Sequence, residues 1–218
     1  MAPVTPDLRV CFLGDSFTAG VGDPEHLGWV GRLAARSARA GRPLTAYPLG
    51  VRRQTGVEVA ARWAAECAPR LSGEWDARLV VSFGVNDTTL EDGAPRVAPE
   101  RSVAALDTVL AGARAAGWPV LVVGPPPVAD AAQNARTADL DARFAELCAT
   151  RGVPHVAVHA ALAAGPAWTA EVAAGDGAHP GAAGYAALAD LVWPHWRAWT
   201  AEADPPPSTP TPPGGAHR

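Results

Sequence analysis

Short runs of Val and Leu alternate along this chain with longer Ala- and Arg-rich stretches, and few folds accept that order. A strand followed by a helix long enough to cross back gives a parallel pair, and repetition gives a parallel sheet with helices on both faces. Leu8–Leu13, Leu44–Leu49, Arg78–Phe83, Pro119–Val123 and Val153–Val158 read as strands. About His26–Ala40, Gly56–Leu71, Pro99–Gly117, Ala138–Arg151 and Pro180–Trp199 read as helices. The strand runs lack strict polar alternation, which suits strands buried on both sides. Pro99 is preset for a helix start, Gly152 closes the fourth helix, and Pro194 marks a kink or break in the last. The expectation is a three-layer α/β/α sandwich around a five-stranded parallel sheet, ordered 2-1-3-4-5 by analogy with other doubly wound sheets.

Composition narrows the partners. Of 218 residues, 48 are Ala, yet 22 Val, 17 Leu and eight Trp suffice for one core. A single domain over residues 1–203 is expected, followed by a disordered tail, 204–218, that holds six Pro and almost nothing to bury. The net charge is −4 and all 18 cations are Arg, so no basic excess exists to neutralise nucleic acid. No apolar run approaches the ~20 residues of a membrane span. The N-terminus lacks a leader pattern, and Cys11, Cys67 and Cys148 match neither a disulfide framework nor a zinc site. A cytoplasmic protein needing no metal or other cofactor is expected, with its oligomeric state left open.

In an open parallel sheet, function gathers beyond the carboxyl ends of the strands. Those loops carry Gly14-Asp15-Ser16-Phe17, Leu49-Gly50-Val51-Arg52, Gly84-Val85-Asn86-Asp87, Gly124-Pro125-Pro126-Pro127 and, after the fifth strand and a further loop, Asp176-Gly177-Ala178-His179-Pro180. A serine nucleophile needs a base, a group that orients the base, and donors for the oxyanion. Ser16 is the candidate nucleophile, with Gly14 permitting the tight turn that presents it. His179 is the candidate base, and Asp176 is near enough in sequence to reach its Nδ1. The N–H groups of Ser16 and Gly50 and the Asn86 amide are candidate oxyanion donors. Asn86 stands out because the chain has one other Asn, Asn134.

Blander readings stand beside these. Ser16 can cap a helix, Asp176 can hold a turn, His179 can be a partly buried helix-start residue, Gly50 can be a turn glycine, and Asn86 can stabilise its own loop. Asp15 and Asp87 read as turn or cap residues rather than an acid/base pair, and Arg52 and Arg53 as ion-pairing residues. His155 and His159 are too far apart on an extended segment to share a metal. Trp193, Trp196 and Trp199 read as a helix face packed on the sheet. Trp168 reads first as core and second as a wall of an acyl pocket.

At these residues the chain resembles the SGNH hydrolases, or GDSL-type esterases and lipases, whose fold is flavodoxin-like. Gly14-Asp15-Ser16-Phe17 is similar to the family's first block, with Phe17 where Leu is usual. Gly50 matches the second, with Pro48 departing from the usual surroundings; Gly84-Val85-Asn86-Asp87 matches the third, and Asp176 to Pro180 the fifth. The resemblance implies Ser16, Asp176 and His179 as the triad and Ser16, Gly50 and Asn86 as the oxyanion hole. It also implies a small-molecule ester substrate cleaved through an acyl-enzyme. No lid or long insertion separates the blocks and three prolines stiffen one wall, so short acyl chains are expected. The alternatives are an acyltransferase or thioesterase using the same triad, or a nucleotide- or flavin-binding module without catalysis.

Overall fold

The computed structural model describes residues 7–201. The tail expected to be disordered, 204–218, lies outside the described residues, as do residues 1–6. In chain order the elements are β1 (Leu8–Gly14), α1 (Gly28–Arg39), β2 (Leu44–Gly50), α2 (Gly56–Leu71), β3 (Asp76–Ser82), α3 (Val85–Thr88), β4 (Leu90–Glu91), β5 (Ala94–Pro95), α4 (Pro99–Ala115), β6 (Val120–Val123), α5 (Ala131–Arg151), β7 (His155–Val156), α6 (His159–Ala164), α7 (Pro166–Ala174) and α8 (Ala182–Ala201).

Strands β2-β1-β3-β6-β7 form one sheet, every neighbouring pair parallel. This is the 2-1-3-4-5 order expected of a doubly wound fold. Successive side chains of a strand face opposite ways, and β1 has an apolar layer on each side. Val10 and Phe12 pack with Trp29 and Leu33 of α1 and with Leu188, Val192 and Trp196 of α8. Cys11 and Leu13 pack with Val59 and Trp63 of α2, Leu106 and Val109 of α4 and Phe144 of α5. Two cores, one per face, explain why the central strands show no polar alternation.

The tryptophan series sits where helical spacing puts it. Trp196 is 1% exposed, stacks on Phe12 with ring centroids 5.9 Å apart, and donates its Nε1–H to Ser37 Oγ at 3.1 Å. Trp199 is buried beside it, and partly buried Trp193 lies under the Arg36 guanidinium.

Several element bounds differ from the expectation for local reasons. The fifth strand shrinks to two residues because Val153 N–H turns back to Cys148 O (2.9 Å), closing α5, and Val158 opens α6. Helix α5 begins seven residues early, where the Asp130 carboxylate accepts from Gln133 N–H at 2.9 Å and caps it. Helix α1 starts at Gly28 because buried Asp23 accepts from the N–H groups of Glu25, Leu27 and Gly28 and holds a turn ahead of it. Helix α8 runs through Pro194 without a break. The hairpin β4–β5 and the helices α3, α6 and α7 are additions to the expected list.

Replacing Trp196 by Ala empties the space between β1 and α8. The expected cost is about 3–5 kcal/mol of folding free energy, read by urea unfolding; a cost under about 1 kcal/mol would mean that this face collapses around the gap.

Candidate active site

Register brings three strand ends level. Gly14 of β1 stands opposite Gly50 of β2 and Ser82 of β3, so the loops that follow leave the sheet at one edge. The turn after β1 folds down onto its neighbours: Ala19 N–H donates to Asp15 O and Val21 N–H to Ser16 O, each at 3.1 Å. A Cβ on Gly50 would strike the Asp15 carbonyl and the Ala19 nitrogen, and one on Gly14 would strike the Thr18 side chain and the Ser82 carbonyl. Close approach, rather than a special backbone angle, is thus what Gly14 supplies. Tyr185 of α8 ties the turn from the other side, its hydroxyl donating to Val21 O at 2.7 Å.

Ser16 is 4% exposed, and its Oγ lies 2.7 Å from His179 Nε2. His179 Nδ1 lies 2.7 Å from Asp176 Oδ2. The other oxygen of Asp176 accepts from the N–H groups of Ala178 (3.0 Å) and His179 (2.8 Å). Partial burial alone would raise the Asp176 pKa, but these hydrogen bonds and the imidazole outweigh it and hold the carboxyl at about 2. An ionised carboxylate only accepts, so the imidazole proton is on Nδ1 and Nε2 is left to take the Ser16 hydroxyl proton. The Phe17 ring leans on the imidazole, centroids 5.0 Å apart, and also stacks with Trp168 at 6.2 Å. Trp168 is 1% exposed and belongs to the core.

Asn86 rides on the single turn α3 after β3. Its Nδ2 donates to Gln54 O at 3.1 Å and to Asp15 Oδ2 at 3.2 Å. Asp15 is 1% exposed and also accepts from Phe17 N–H at 3.0 Å. Burial pushes its carboxyl up to about 7 against that hydrogen bond, and the neighbouring Asp87 adds to the rise. Asp87, fully buried, is likewise pushed up by burial; it accepts from Gly56 N–H (2.8 Å) at the start of α2 and from the Ser102 hydroxyl (2.6 Å) of α4. Each carboxylate serves its own turn or a helix start.

The structure brings Ser16, Asp176 and His179 into one hydrogen-bonded chain and sets Gly50 and Asn86 against the Ser16 turn. Other sequence candidates lie elsewhere. Exposed Arg53 is 3.9 Å from Glu91, and His155 pairs with Asp141 at 2.9 Å. Among the described residues no group of three or more His, Cys, Asp or Glu is placed to hold a metal, and the three cysteines are buried and free.

Sequence reasoning passed over the residues that stiffen the site. The 124–130 loop is pinned by Asn134, whose Oδ1 accepts from Val128 N–H (2.8 Å) and whose Nδ2 donates to Val128 O (2.7 Å). Ala129 N–H donates to Gly177 O at 2.8 Å, and the Trp168 indole to Pro127 O at 2.9 Å. The scarcity that drew attention to Asn86 applied equally to Asn134.

A family model described as "GDSL-like Lipase/Acylhydrolase family" matches residues 12–187, which span every residue of this hydrogen-bonded edge. The chain belongs to the GDSL-like lipase/acylhydrolase family. This GDSL hydrolase, an enzyme of the esterase and lipase type, shares its fold with solved structures. A lipase/acylhydrolase from Enterococcus faecalis is 22% identical with a TM-score of 0.72, over 88% of this chain and 96% of that one. TesA is 23% identical with a TM-score of 0.72, over 88% and 99% of the two chains. An acetylxylan esterase from Geobacillus stearothermophilus is 14% identical with a TM-score of 0.67, over 86% and 93%. No curated protein sequence matches the GDSL hydrolase. None of its described helices is long and apolar enough to cross a membrane.

The raised pKa of Asp15 fixes a pH dependence. Between its ordinary value of 3.8 and about 7 the folded state holds a proton on Asp15 that the unfolded state has released, so the Asp15 contribution to stability falls as pH rises through that window and levels off above it. Substituting Asn at position 15 removes this slope. Melting temperatures of the two proteins from pH 4 to 8 test it, and parallel curves would show that Asp15 titrates normally.

Proposed function

We propose that the protein hydrolyses carboxylic esters through an acyl-enzyme on Ser16. The observation that carries this reading is the unbroken chain from Asp176 to His179 to Ser16, with both junctions at 2.7 Å. His179 Nε2 takes the hydroxyl proton as Ser16 Oγ attacks the ester carbonyl carbon. The N–H groups of Ser16 and Gly50 receive the developing oxyanion, and the Asn86 amide joins them by turning one of its two N–H bonds from Asp15 Oδ2 to the oxyanion while the other stays on Gln54 O. The imidazolium then gives its proton to the departing alcohol, and water, activated by the same imidazole, releases the acid. Asp176 remains ionised throughout, stabilising the imidazolium.

Short acyl groups are the proposed preference. Phe17 and Trp168 fill the volume beside the nucleophile, and the 124–130 wall is tied to Asn134, Gly177 and Trp168. A long chain would need that wall to move. The fold shared with an acetylxylan esterase is in keeping with a small acyl group. A cytoplasmic setting agrees with three free cysteines.

Replacing Ser16 by Ala is expected to lower turnover by ~10⁴-fold or more with the fold intact. Asn86→Ala should lower kcat by ~10²–10³ with KM little changed. Near-normal turnover in the Ser16 variant would end this reading, and a raised KM with kcat preserved would make Asn86 a ground-state binder.

Across p-nitrophenyl esters, kcat/KM should peak between acetyl and butyryl and be indifferent to EDTA. A maximum at octanoyl or longer would show that the wall opens and would point to a lipase or long-chain thioesterase.

A further inference from the structure

One cation reaches beneath the catalytic edge from α2. The Arg62 side chain is 16% exposed, and its guanidinium is committed on all three nitrogens. One terminal nitrogen, Nη2, donates to both Gly14 O (2.9 Å) and Leu49 O (2.8 Å). The other, Nη1, meets Glu66 Oε1 at 2.9 Å, and Nε–H donates to the Gln54 side-chain oxygen at 2.6 Å.

These partners are the backbone around the oxyanion donors. The Leu49 carbonyl belongs to the same planar unit as the Gly50 N–H, and in a trans peptide the two point in opposite directions. Fixing Leu49 O therefore fixes the direction of the Gly50 N–H. A charge-assisted hydrogen bond to the carbonyl also polarises the unit and strengthens its N–H as a donor. The second carbonyl, Gly14 O, closes the strand that leads into the Ser16 turn, and it also accepts from Val51 N–H at 3.1 Å. Gln54, held through its side chain by Arg62, offers its main-chain carbonyl to Asn86 Nδ2 at 3.1 Å.

We propose that Arg62 is a positioning residue for the oxyanion hole, aiming the Gly50 N–H through the Leu49 carbonyl and steadying the Asn86 amide through Gln54. This rests on the esterase reading above. The planar fork is what the role requires. A lysine ammonium has one centre and no fixed plane, so it cannot span two carbonyls and a side-chain amide in one geometry. All three guanidinium nitrogens of Arg62 are committed to protein partners beneath the strand ends, so its effect belongs to the rate of the chemical step and not to ground-state binding.

The test is Arg62→Ala and Arg62→Lys, each assayed on p-nitrophenyl acetate after titration of competent sites with a phosphonate ester run to completion. Titration separates the two ways activity can fall. A merely structural arginine would leave fewer competent sites, each turning over normally. A positioning arginine leaves the full titre with a lower rate per site. The expected result is a loss of about 10–100-fold in kcat per titrated site for Arg62→Ala, smaller than deletion of a donor, with KM within about twofold. Arg62→Lys, which keeps the charge and the stem, should recover only part of it. If kcat per titrated site equals the wild-type value in both variants, or if the loss falls on KM alone, the positioning role is wrong. If the phosphonate fails to label Ser16 in the wild-type protein, it is the esterase reading that fails, which separates the two.

Discussion

A parallel sheet can offer several loops to one substrate only if its strands stop at the same height. Here Gly14, Gly50 and Ser82 stand opposite one another at the ends of β1, β2 and β3. The Ser16 turn then lies flat across the neighbouring strand end because two positions beneath it carry no side chain. A methyl group at either would lift the turn by a distance comparable to a hydrogen bond's tolerance. The Ser16–His179 junction, at 2.7 Å, has no such slack. Everything at this edge inherits its position from this contact between a turn and two bare backbones.

The same edge concentrates groups that a core ordinarily excludes. Asp15 and Asp87 are both buried without a cation in hydrogen-bonding contact, and each is held by backbone N–H groups together with an amide or hydroxyl. Burial of a carboxylate costs free energy that these bonds offset only in part, which is why both pKa values rise. The cost is sustained by the two apolar layers on either side of the sheet. Concentrating destabilising polar groups at a site and compensating through packing elsewhere is a common pattern in enzymes.

The sequence made the sheet legible because its strands are buried on both faces and so appear as uninterrupted Val and Leu runs. The nucleophile and oxyanion candidates stood out because each falls at a strand end beside Gly or Asp, and the base candidate because it follows Asp176-Gly177 in the loop between α7 and α8, in a chain rich in Ala. Bounds set by side chains reaching across turns were not. Asp23 and Asp130 move two helix starts, and Val153 is drawn into a helix end instead of a strand. The hairpin β4–β5 did leave a signal, Asp92-Gly93, a pair suited to a two-residue turn, and both residues have positive φ, 52° and 82°. Arg62 left none: one arginine among 18 gains its meaning only from which carbonyls lie above it.

Asp176 and His179 lie three residues apart, and the backbone of that short stretch fixes the carboxylate. The only distant joint in this hydrogen-bonded chain is therefore the one between His179 and Ser16, 163 residues apart in sequence. Ribosomal synthesis runs from the N-terminus, so the serine emerges early and its base among the last folded segments. A nascent chain would thus carry an ordinary, unactivated hydroxyl for most of its synthesis. On the proposed reading, the Ser16 hydroxyl would be activated only once the segment carrying Asp176 and His179 has packed against the Ser16 turn.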